Sequence, residues 1–209
     1  MPPSRTKLPP VPAWSSPALQ GLAYWLGSQS SFGLDANISE GAITWTLGTL
    51  LFAHRDMGLH LESEVMYRHI PEYRTNAAVR RSRARADIVL ATTRRTARTE
   101  PFGLGEVQAV IEVKHNRSLM GLVWEDVNYL GARRSDSKAI RTFVIYASVN
   151  QRPLLFTDEL GAAMNPRNAR TEAGTLYRVR QVRRATHKIP RRNKDAVGHY
   201  AILIEVIPN

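Results

Sequence analysis

The chain has 209 residues, 43% of them hydrophobic and 22% charged, which gives enough apolar material for one domain with a full core and too little length for two. It contains no cysteine, which excludes disulfides, Cys-ligated zinc and thiol catalysis and suits a reducing cytoplasm, the expected location. Lys and Arg outnumber Asp and Glu by 29 to 18, and the net charge of +11 points to a polyanionic partner, nucleic acid before lipid, because the basic residues lie on no amphipathic helix.

No signal-peptide core and no apolar run of spanning length occurs, so no membrane is expected. Residues 1–15 are rich in proline and read as a flexible arm, and residues 16–209 as a single domain with a basic C-terminal region. Ser16-Pro17 offers an N-cap and a first-turn proline. Leu19, Leu22, Ala23 and Leu26 then keep helical spacing up to Gly27, and residues 28–35 read as a polar loop. Asn37 opens the main N-terminal helix in a capping box with Glu40, and Ile43, Leu47, Leu50 and Leu51 form its apolar side up to Met57-Gly58. Residues 59–67 read as a strand, and 74–85 as a polar connection crowded with arginine. After the two strands discussed next, Val123, Val127 and Leu130 predict a helix to about Arg134. Residues 142–149, 177–183 and 200–207 predict further strands.

The chemistry concentrates in two runs. In Val107–Asn116 alternation sets Val110, Glu112 and Lys114 on one face of a strand and Ala109, Ile111 and Val113 on the other, with His115 opposite Lys114 as a packing residue. In Arg85–Thr92, Asp87 stands at the mouth of an Ile-Val-Leu strand. A Gly- and Pro-containing loop joins the two, so they read as antiparallel neighbours. The helix and strand that follow suggest a right-handed crossover onto the same sheet.

An Asp/Glu-x-Lys triplet arises roughly once or twice by chance in a chain of this size, and Asp136-Ser137-Lys138 is one in a polar loop. Glu112-Val113-Lys114 differs by its apolar strand and by the partner strand bearing Asp87. Two carboxylates on adjacent strands suffice for Mg2+, or Mn2+, which leaves positions open for water and a phosphate oxygen. Lys114 would then orient or deprotonate that water, or stabilise the transition state as a cation. The competing reading is a Glu-Lys ion pair on a partly exposed strand.

Asp87 in Arg-Ala-Asp-Ile-Val-Leu, then Glu112-Val113-Lys114, then a helix and a strand, resembles the PD-(D/E)XK nuclease superfamily over residues 39–149, with Ala86 in place of the proline that names the motif. The resemblance implies an α/β (α+β) fold, a restriction endonuclease-like mixed β-sheet flanked by helices with an αβββαβ-type core. It implies a Mg2+-dependent endonuclease acting on DNA, RNA not excluded. Asp87, Glu112 and the Val113 carbonyl would be metal ligands and Lys114 the catalytic lysine. An acidic residue on the preceding helix often faces such a site, and Glu40 occupies that place in competition with a helix-capping role. Glu64 is a second candidate. Cutting both strands of a duplex would make a homodimer natural.

Two basic clusters are candidate phosphate clamps: Arg81, Arg83, Arg85, Arg94 and Arg95 around the Asp87 strand, and Arg178, Arg180, Arg183, Arg184, Lys188, Arg191 and Arg192 near the C-terminus. The alternative function is a catalytically inactive nucleic-acid-binding module of the same fold, a subunit of a larger assembly.

Overall fold

The computed structural model of the chain describes residues 9–34, 38–73, 83–116, 120–131, 140–164, 169–186 and 198–207. Helix α1 (Ser15–Ser31) buries Ala18, Leu19, Leu22, Ala23 and Leu26. Each fully buried leucine contributes roughly 2 kcal/mol. The helix continues one turn past Gly27 into the expected loop. Gly33, at φ +72, supplies the left-handed turn that ends it.

Helix α2 (Glu40–His54) starts from Ser39, whose hydroxyl accepts the Ala42 amide at 3.1 Å. The cap is therefore Ser39, where the sequence suggested a box opened by Asn37, a residue outside the described ones. Glu40 becomes the first helical residue, and its carboxylate faces Lys114 on the sheet. Ile43, Leu47 and Leu51 are buried. The two helices meet closely at Gly21, where an added Cβ would lie 2.8 Å from Leu50.

The seven-stranded mixed sheet has the order β1-β2-β3-β4-β7-β6-β5, from β1 (His60–Met66), β2 (Arg85–Ala91), β3 (Val107–His115), β4 (Arg141–Ser148), β5 (Ala169–Arg170), β6 (Leu176–Thr186) and β7 (Gly198–Ile207). β2 runs antiparallel to both β1 and β3. β3 and β4 are parallel, as the intervening helix α3 (Met120–Gly131) requires. The remaining pairs are antiparallel.

Strand alternation divides the core in two. Ile88, Leu90, Ala109, Ile111, Val113, Phe143, Ile145 and Leu203 pack with α1 and α2 on one face. Val89, Val110, Val144, Ile202 and Ile204 pack on the other with Val123, Val127 and Leu130 of α3 and with Tyr67 and Tyr73 of two short 3-10 turns, Tyr67–His69 and Pro71–Tyr73. Among the described residues no helix is long and apolar enough to cross a membrane.

The described end of the Pro-rich stretch is docked on the sheet, which corrects the expectation of a flexible arm for residues 9–15. The carbonyls of Pro9 and Pro10 accept hydrogen bonds from Arg180 and Arg141, each at 2.7 Å. Trp14 is buried edge-on against Phe143, with ring centroids 5.8 Å apart.

Candidate active site

β2 and β3 bring the two carboxylates together. Their ladder pairs Ile88 with Ile111 and Val89 with Val110, which sets Asp87 beside Glu112 at the open end of β2. Asp87 Oδ2 accepts the Val113 amide at 2.7 Å. Glu112 is buried and also accepts the hydroxyl of Tyr67 through Oε1. Burial pushes both acids up from the usual carboxylate range. For Glu112, the neighbouring Asp87 and Asp126 charges push further, while for Asp87 the Val113 amide partly offsets the rise.

On its other side Asp87 lies across from Glu64 of β1. Ser63 pairs with Ile88 and Val65 with Ala86, and Glu64 between them takes φ +56, outside the ladder. A non-glycine residue in this left-handed conformation within a strand is a strained position next to the carboxylates.

Lys114, two residues beyond Glu112, is only 13% exposed. Its Nζ lies 3.2 Å from Glu40 Oε1 and 3.0 Å from Asp126 Oδ2. Burial alone would lower its pKa, but the Asp126 and Glu40 carboxylates outweigh that and raise it, so the amine stays protonated. Burial pushes Asp126 up to about 6 although Lys114 pulls it down. His115, on the opposite face as expected, is buried.

The structure thus gathers Asp87, Glu112, Lys114 and Glu40. Glu64 lies across from Asp87 and lines the same cleft, but it is 57% exposed and its carboxylate pairs with Arg85, at 3.7 Å. Two members were not foreseen. Asp126 follows Val123 by three residues and so lies on the inward stripe of α3, where a carboxylate is out of place for packing alone. Tyr67 opens the 3-10 turn just past β1, at a position no spacing rule distinguishes. Val113, expected to offer its carbonyl to a metal, here uses its amide to orient Asp87. Among the described residues no group of three or more His, Asp or Glu side chains is arranged to hold a metal, so Asp87 and Glu112 are the candidate pair.

The basic clusters separate by what each arginine touches. Arg83, Arg85 and Arg94 are exposed, and Arg85 and Arg94 line a groove that also holds Ser63 and Glu64. Arg95 is not a clamp: its side chain is 6% exposed and it anchors the β2–β3 loop. It bonds Glu62 at 2.7 Å and the Arg98 and Glu100 carbonyls at 3.1 and 3.0 Å, and it lies over the Phe102 ring. Arg180 is likewise consumed, by Glu205 and the Pro9 carbonyl, and Arg183 donates to the Ser16 hydroxyl. Arg184 lies over the Tyr200 ring, and Arg178 stands opposite Glu205 in the β6–β7 ladder. Arg81, Lys188, Arg191 and Arg192, with the Asp136-Ser137-Lys138 triplet, lie outside the described residues. No family model matches the chain, and neither a curated protein nor a solved structure matches it.

Proposed function

We propose that the protein is a metal-dependent nuclease of the PD-(D/E)XK type that hydrolyses phosphodiester bonds in DNA. The observation that carries this reading is the β2–β3 register that sets the Asp87 and Glu112 carboxyls side by side on adjacent strands, with the Lys114 ammonium two residues on. Support comes also from the succession α2, β1, β2, β3, α3, β4, which is the helix, three strands, helix and strand that the resemblance implies.

The donor set suits magnesium or manganese: two hard carboxylate oxygens on neighbouring strands, whose charged forms burial disfavours and a bound cation would favour. Bound there, such an ion supplies Lewis-acid activation of the phosphodiester and of a water molecule. The chain's own residues do the rest. The Val113 amide and the Tyr67 hydroxyl fix the orientation of the two carboxyls. Glu40 and Asp126 hold Lys114 as a cation, which favours charge stabilisation over proton abstraction among the roles open to it. Exposed Arg83, Arg85 and Arg94 would hold flanking phosphates.

One observation favours the second reading, an inactive nucleic-acid-binding module: Lys114 is already engaged by two carboxylates, as a structural ion pair would be. Calorimetric titration with manganese separates the two. The nuclease reading expects one site that binds more tightly as pH rises and disappears in Glu112→Ala. Absence of a metal site with DNA binding intact would favour the module.

A further inference from the structure

Next to the carboxylates, α2 turns an unusual face outward. Trp45 is 79% exposed and Phe52 61%, and seven residues place them on one side of the helix, about 10 Å apart along its axis. Between them stands Gly48, where an added Cβ would meet nothing within 4 Å, and one turn before Trp45 Gly41 is nearly as open. A glycine inside a helix costs about 1 kcal/mol relative to alanine, and here no neighbour demands either one. These residues line a cleft of about 520 Å³ whose other wall is Leu61, Ser63 and the strained Glu64, and which reaches Asp87 and Glu40 at its inner end.

We propose that this cleft takes an unstacked nucleobase, so that the substrate carries unpaired nucleotides beside the phosphate at the Asp87–Glu112 site. This deepens the nuclease reading and rests on it. Three features select a base over an apolar protein segment. The cleft shares Phe52, Leu61, Ser63 and Glu64 with a second groove that carries Arg85, Arg94 and Arg98, so aromatic faces and phosphate-binding cations adjoin, the combination that holds single-stranded nucleic acid. Arg55 lies 3.8 Å over one face of the Phe52 ring, which fixes the ring and leaves it poised for stacking. The bare backbone at Gly41 and Gly48 admits a flat ring to van der Waals distance, a benefit to a planar ligand that a bulky side chain would not need. Bases inside an intact duplex are stacked on one another and cannot enter such a cleft.

The test is binding of the full chain to a short single-stranded oligothymidylate and to a blunt duplex of equal length, with chelator present so that nothing is cut. Trp45→Ala should weaken single-strand binding about tenfold or more and leave duplex binding unchanged, whereas Trp45→Phe, which keeps a ring, should retain most single-strand affinity. The exposure of Trp45 means that the fold should survive, which a thermal melt checks. Equal losses on both ligands, no loss on either, or loss of a concentration-dependent self-association with DNA binding intact would each overturn the proposal. Failure of this inference alone appears as metal-dependent cutting that ignores Trp45. Failure of the nuclease reading alone appears as Trp45-dependent binding with no cutting.

Discussion

On the β6–β7 side of the sheet, Arg141 and Arg180 converge on the buried carboxylate of Glu205 and hold the chain's Pro9–Pro10 segment, so their charges are spent inside the protein. On the β1–β2 side, Arg94 and Arg98 stand exposed along a groove that also holds Ser63 and Glu64. The same residue type closes the fold at one edge and leaves a cationic rim at the other. A net charge of +11 is therefore a poor guide to which arginines meet a partner. What decides is whether a carboxylate or carbonyl lies within reach.

The largest effect expected from this contrast is on stability. Glu205 is 6% exposed, and Glu205→Ala would leave two guanidinium groups facing one another without a counter-charge. A cost of roughly 3–5 kcal/mol is expected, read as a lower denaturant midpoint with unchanged slope. Wild-type stability in that variant would mean that the β6 edge does not depend on the triad. A smaller and different effect is expected at the other edge. Arg94→Gln combined with Arg98→Gln should leave stability within about 0.5 kcal/mol and flatten the salt dependence of DNA binding, by roughly one unit of slope for each phosphate no longer neutralised. An unchanged slope would remove this rim from the interface.

Much of the architecture was legible because it depends on local periodicity. The period-2 alternation of β3 places Glu112 and Lys114 opposite Ile111 and Val113, as observed. The antiparallel pairing of β2 with β3 follows from the loop that joins them. What was not legible depends on partners distant in the chain. Glu112 meets Tyr67, 45 residues away. Arg180 meets Glu205 through a shift in register between Val179 and Gln181. Trp14 is buried because Phe143 offers it an edge, which no composition rule for a Pro-rich stretch contains. Asp126 is the intermediate case: its position on the inward stripe of α3 was visible, but its significance needed Lys114 beside it.

The central claim is that Asp87, Glu112 and Lys114 form one hydrolytic site, and the most direct test is cutting of DNA by the purified chain with magnesium or manganese. Wild type should nick or cut, and Asp87→Ala, Glu112→Ala and Lys114→Ala should each lose that activity while they keep a cooperative unfolding transition. Equal cutting by all four proteins would contradict the account.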